Sequence, residues 1–209
     1  MSPVQGASRG CAAWPKDALR IAFGIIWLID ATLKWLPGFK DGYMDTIMGI
    51  RDGQPGWTRW WFDFWINLQH PAITFFWALV ATAETLIALA LIAGFARKVT
   101  YIAAIVFSVL IWMTAEGFGG PYTSGSADIG TAIIYAVVFA ALLALTYYAG
   151  PSRYTADYYL EKKISWWWRV AELRRPVPAA ATPAPAAVMV PPGAVPAQHT
   201  PEAGQPHTV

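Results

Sequence analysis

Asp30 and Lys34 stand four residues apart inside an apolar stretch, DALRIAFGIIWLIDATLKWLPGF, that covers residues 17–39. That spacing puts them on one helix face, one turn apart, and Phe23 and Trp27 continue the face. A charge near the centre of a bilayer costs about 2.5–3.5 kcal/mol on insertion scales. A chain that keeps two must give them something polar to meet. Glu84 is the third such group. It follows the start of a second apolar stretch, PAITFFWALVATAETLIALALIAGF, by enough residues to lie roughly 20 Å down a helix at 1.5 Å per residue. A lone carboxyl at that depth, seven residues after Trp77, is the kind of proton carrier that a quinol site or a proton path needs.

Two further stripes run toward the same level. Ser108, Trp112 and Glu116 share a face of a third apolar stretch, and Asp128, Thr131 and Tyr135 share a face of a fourth. Together the four stripes bring Asp30, Glu116 and Asp128, one lysine, one tyrosine and several tryptophans toward the outer half of a bundle, with Glu84 deeper. Each residue also has a purely structural reading. Asp30 and Lys34 can be an ion pair that orients the first helix, and Glu84 can be interhelical glue in its neutral form. Asp128, with Ser126, can cap a helix start. Trp27, Trp77 and Trp112 can be packing alone.

The elements that must position these groups follow from composition. The chain has 209 residues, 56% hydrophobic and 13% charged, with a mean hydropathy of +0.38. Soluble domains are nearer 25% charged, so the sequence predicts an all-α integral membrane protein, a four-helix bundle. The domain, residues 17–150, has spanning helices at about 17–36, 71–93, 99–116 and 127–149. Pro37-Gly38 is expected to end the first. Residues 38–70 are too polar to span and too aromatic for a plain loop. Helical spacing of Tyr43, Ile47 and Ile50, and of Trp57, Trp61, Phe64 and Trp65, predicts two short interfacial helices split by Gly53, Pro55 and Gly56. They either seal the bundle or form an entrance or docking face.

Residues 1–16 are a short polar segment without a signal-peptide core. Residues 151–175 mix Lys162, Lys163, Arg169, Arg174 and Arg175 with Trp166, Trp167 and Trp168, which suits one basic amphipathic helix on an anionic membrane surface. The Pro/Ala-rich stretch 176–209 is expected to be a disordered tail. Four spans leave both ends on one side, which then holds eleven of the fifteen basic residues. The positive-inside rule makes that side the cytoplasm, so the chain reads as a multi-pass protein of a bacterial or archaeal inner (plasma) membrane, with both termini cytoplasmic and membrane lipid as its surroundings.

Several classes are excluded by content. A net charge of +2 with no basic stripe away from the membrane flanks argues against nucleic acid. The lone Cys11 makes no intrachain disulfide or cysteine metal cluster. His70, His199 and His207 supply neither a histidine metal site nor a pair of haem ligands. GFGGPYTSG lacks the strand context of a nucleotide loop.

Three stretches carry a family resemblance. RIAFGIIWLIDATLKWLPGF, with Arg20, Gly24 and Lys34, resembles the opening helix of the DoxX/DoxD-like membrane proteins. AETLIALALIAGFARK, with Glu84, Gly94 and Arg97, looks like their second helix, and GGPYTSGSADIGTAIIY like the turn and start of the DoxD-type fourth helix. The resemblance covers roughly residues 18–150 and leaves out the tryptophan-rich segment 57–65 and the tail. It implies a four-helix membrane bundle similar to the membrane subunit of thiosulfate:quinone oxidoreductase, with quinone as electron acceptor and a separate partner subunit. On that basis Asp30, Lys34 and Glu84 are the expected catalytic groups, Lys34 as the positive group and Glu84 or Asp30 as the proton carrier. Trp27, Trp77, Trp112, Glu116, Asp128 and Tyr135 are the expected walls of a pocket for the quinone or the sulfur anion. No metal motif is expected. The alternative is a non-catalytic membrane anchor or assembly subunit that uses residues 38–70 and 151–175 as contacts.

Overall fold

The computed structural model describes residues 14–120, 128–148 and 151–174, all within one compact unit, Met1–Pro176. The expectations about Cys11, Ser126, the centre of the glycine turn, His199, His207 and the Pro/Ala-rich tail fall outside the described residues.

Every regular element among the described residues is helical. The helices are α1 (Trp14–Lys34), α2 (Pro37–Gly53), α3 (Arg59–Gln69), α4 (Ile73–Ala93), α5 (Arg97–Met113), α6 (Thr131–Tyr148), α7 (Ala156–Lys163) and α8 (Trp168–Ala171). Proline 37 acts differently from the expectation. Trp35 and Leu36 form the break, and Pro37 opens α2 in the first turn, where its missing N–H costs nothing.

The long helices form a ring in which α1 lies on α4, α4 on α5, α5 on α6, and α6 on α1. The α1–α4 seam is close because Gly24 has no side chain. A Cβ there would stand 2.9 Å from Cγ1 of Ile92 and 3.0 Å from Cβ of Leu91. Trp27, Ile87, Leu91, Tyr101, Phe139 and Leu142 fill the centre of the ring.

What faces outward is unusual. Ile25 and Ile29 of α1, Leu79 and Leu86 of α4, Ile102 and Val106 of α5, and Ile134 and Val137 of α6 are all exposed. Arg20, Glu84, Arg97 and Ser108 are buried. One continuous helical stretch, Arg59–Ala93, is long and apolar enough to cross a membrane on length and composition, and Thr131–Tyr147 is a shorter apolar helix. Helix α1 carries charge at both ends, and α5 is 17 residues long.

The two ends of the ring are closed differently. At the Lys34 end, α2 and α3 lie together across the opening, joined by an Arg51–Asp63 ion pair at 2.6 Å. At the Arg97 end, Gly94 ends α4 in the left-handed conformation and leads directly into α5. Arg20 reaches across to donate to the carbonyls of Leu91 and Ile92 in the last turn of α4, where carbonyls lack i+4 helical donors.

The segment after α6 closes that end, and it is two short helices rather than the single basic helix expected over 151–175. Thr155 caps α7 by accepting from the Tyr158 N–H. The chain then leaves helix at Ile164 and resumes at Trp168. The cause is Arg97. Its guanidinium donates to Asp157 on α7 at 3.0 Å and to Glu172 just after α8, and one straight helix cannot bring both acids to the same group.

Candidate functional site

The polar stripes meet at the Lys34 end, around a cavity of about 370 Å³. Helix α1 contributes Trp27, Asp30 and Lys34, and α4 contributes Val80 and Glu84. The end of α5 supplies Ile111 and Thr114–Glu116, and α6 supplies Thr131, Ala132 and Tyr135. Helix α2 roofs it with Phe39, Tyr43, Thr46 and Ile47, joined by Gln69 at the end of α3. This size is that of a small-molecule site, with mixed apolar and polar walls.

Lys34 is committed within the chain. Its Nζ lies 3.2 Å from Asp30 Oδ2 and 4.9 Å from the centre of the Phe39 ring. The Asp30 side chain keeps about half of its exposure, 51%, so the pair is open on its Asp30 side. Glu84 is different. It is only 1% exposed, and its Oε2 has no hydrogen-bond partner. The charges that act on it are Lys34 and Asp30, one turn apart on the facing helix. Trp27 Nε1, on the cavity lining, is likewise buried without a partner, as is Ser108 Oγ, which does not line it. A buried polar atom without a partner costs about 1–3 kcal/mol, so such atoms beside a cavity mark a place where a ligand can repay that loss.

Of the residues expected at the site, Trp27, Asp30, Lys34, Glu84, Glu116 and Tyr135 line the cavity. Trp77, Trp112 and Asp128 do not. Trp77 donates its indole N–H to the Lys34 carbonyl at 2.8 Å, which holds the end of α1. Trp112 donates to the Ile129 carbonyl at 2.8 Å, which holds the approach to α6. Asp128 accepts from the Gly130 N–H at 2.7 Å and so shapes a turn before α6. The capping role considered for Asp128 belongs to Glu116, whose carboxylate accepts from the Ala132 N–H at 2.9 Å.

Sequence reasoning missed the roof as part of the site. Tyr43 donates to Gln69 Oε1 at 2.6 Å, bridging α2 to the end of α3. Burial pushes the Tyr43 phenol up to about 12, so it stays a donor at any physiological pH. The Tyr43/Ile47 spacing marks an inward face of α2, but nothing in it says which cavity that face covers. Among the described residues, no group of three or more His, Cys, Asp or Glu is placed to hold a metal ion.

Compared with protein-family models, with curated proteins and with solved structures, the chain matches none.

Proposed function

We propose that the chain is the membrane subunit of a quinone-linked oxidoreductase of the thiosulfate type. In this reading α1, α4, α5 and α6 are four transmembrane spans and α2 and α3 are interfacial. Both termini are cytoplasmic, in a bacterial or archaeal plasma membrane. The DoxX/DoxD-like resemblance supports it, as does the exposed apolar outside of all four long helices. A surface of that kind is a liability in water and suits lipid.

The observation that carries the reading is Glu84. A fully buried carboxyl with an unpartnered oxygen borders a cavity of about 370 Å³. Intramembrane acids are costly to keep and face sites or proton paths by default. Joining two thiosulfate dianions into one tetrathionate dianion releases two electrons. A quinone takes up those two electrons and two protons to become the quinol. Glu84 would pass a proton to the quinone oxygen, Trp27 would donate a hydrogen bond to it, and Tyr135 would form the wall. Lys34 and Asp30 would hold the charge at the mouth. The quinone head group fits this lining better than the sulfur anion, because the one lysine is paired with Asp30 while Glu116 adds negative charge.

The test is thiosulfate-dependent reduction of a soluble quinone analogue by protein purified gently in detergent, together with its co-purifying partner. Glu84→Gln is expected to lower turnover by about 100-fold, the low end of a general acid contribution, while the protein still accumulates. Full activity in that variant removes Glu84 from the chemistry.

The second reading is a non-catalytic anchor or assembly subunit. It draws on Trp57 and Trp60, which are 79% and 66% exposed beside α3. Its signature is a stoichiometric partner that is lost in Trp60→Ala while Glu84→Gln behaves as wild type.

A further inference from the structure

The charges exposed at the Arg97 end have one sign. In sequence, residues 151–174 carry Asp157, Glu161 and Glu172 against Arg153, Lys162, Lys163, Arg169 and Arg174. Folding removes most of the negative side. Asp157 is fully buried, accepting from the backbone N–H groups of Ala96 and Arg97, from Arg97 Nε and from Trp167 Nε1 at 2.7–3.0 Å. Glu172 is buried on the other edge of the Arg97 guanidinium, and Glu161 is half-buried. Asp17, at the start of α1, is buried against Arg20 and Ser152.

The five cations stay exposed, and among the described residues none forms a salt bridge. Aromatic rings hold four of them instead. Lys162 Nζ lies 3.7 Å from the centre of the Tyr158 ring, Arg153 5.0 Å from Tyr154, Arg174 5.3 Å from Tyr147 and Arg169 5.9 Å from Trp168. Cation–π contact positions a cation without neutralising it, so the charge remains available. Tyr159 and Trp166 are exposed among them, the ring types that settle at head-group level.

We propose that this face is a docking surface for anionic phospholipid head groups, and that Arg97 creates it by drawing Asp157 and Glu172 inside. Charge complementarity identifies the occupant: cations with their acids removed, interleaved with interfacial aromatics, at the end of a bundle whose sides are apolar. The inference rests on the membrane reading of the bundle and is independent of the cavity and its chemistry.

The test uses the full chain in mild detergent. Thermal unfolding is followed while phosphatidylglycerol or phosphatidylcholine is added, and retained lipid is counted by native mass spectrometry. Phosphatidylglycerol is expected to bind about tenfold more tightly than phosphatidylcholine, with the preference collapsing at ~0.5 M salt. The triple variant Lys162→Gln/Lys163→Gln/Arg169→Gln should unfold at the wild-type temperature without lipid and show no preference. Ser165→Glu, which returns one acid to the exposed face, should weaken the preference with the fold intact. Equal response to the two lipids, or an undiminished preference in the triple variant, overturns the proposal. So does equal stabilisation by heparin, which would make the face a general polyanion surface. Release of the protein from membranes by alkaline carbonate without detergent would instead overturn the membrane reading itself.

Discussion

The indole N–H of Trp77 on α4 donates to the backbone carbonyl of Lys34 at 2.8 Å, where α1 ends. That carbonyl has no helical partner, so the tryptophan terminates α1 from outside and fixes the backbone that carries the cavity's one lysine. Beside it, Trp35 donates to Thr85 Oγ1 at 3.1 Å and meets the Trp77 ring edge-on at 5.6 Å. Trp77→Phe keeps the ring and removes the donor. The expected cost is about 1 kcal/mol, read as a lower unfolding temperature in detergent. An unchanged unfolding temperature would show that the bond contributes nothing to holding α1.

The two kinds of ion pair should separate sharply by mutation. Asp157→Ala leaves Arg97 buried against Glu172 alone and strips the start of α5 of its acceptor, so a loss of about 3–5 kcal/mol is expected. Asp30→Ala breaks a pair that is open on its Asp30 side and should cost less than about 1 kcal/mol. Denaturant or thermal unfolding of the two variants side by side is the measurement, and equal losses would refute the distinction.

Gly24 should tolerate no larger residue. Gly24→Val puts branched carbons where Cγ1 of Ile92 and Cβ of Leu91 already stand at 2.9 and 3.0 Å from the Cβ position. An overpacking cost of about 1–3 kcal/mol is expected. The contrast is Gly38→Ala on α2, where a Cβ meets nothing within 4 Å and the unfolding temperature should hold or rise.

Glu161 gives stability a pH dependence of known sign. Burial pushes its carboxyl above the ordinary carboxylate range, with Arg97 pulling it back and Asp157 adding to the rise. A folded-state value above the unfolded one means that the folded protein resists ionisation. The penalty is absent at about pH 4 and grows as pH rises through the folded value. Glu161→Gln removes it, so the variant should unfold at a higher temperature than wild type at neutral pH and at the same temperature near pH 4. A constant difference across that range would count against it.

Much of the helical order was legible because period and punctuation act locally. The 3.6-residue repeat put Asp30, Lys34 and Trp27 on one face, and a fixed rise per residue brought Glu116 and Tyr135 toward the same outer half; Glu84, expected deeper and apart, lines the same cavity as they do. Residues whose role depends on a distant partner were not legible. Trp77 and Trp112 lie on the expected stripes, yet each indole N–H goes to a helix-end carbonyl whose position only tertiary packing decides. Tyr43 and Gln69 belong to different helices, and no local pattern says that α2 folds back over the ring. The break between α7 and α8 has the same origin, since it is the reach of Arg97, more than 50 residues earlier, that bends the segment.

The borrowed helix caps impose an order on synthesis. Helix α5 has no side-chain cap of its own, and the Asp157 carboxylate that accepts from its first N–H groups lies 60 residues downstream. By contrast, Glu116 meets the start of α6 only 16 residues later. A ribosome therefore makes α5 well before, and α6 just before, the group that secures the start of α5. Through that interval the nascent chain holds Arg97 without either of its acids. Arrival of residues 157–172 ends the exposure, so α7 and the residue after α8 double as the seal on a helix made 60 residues earlier.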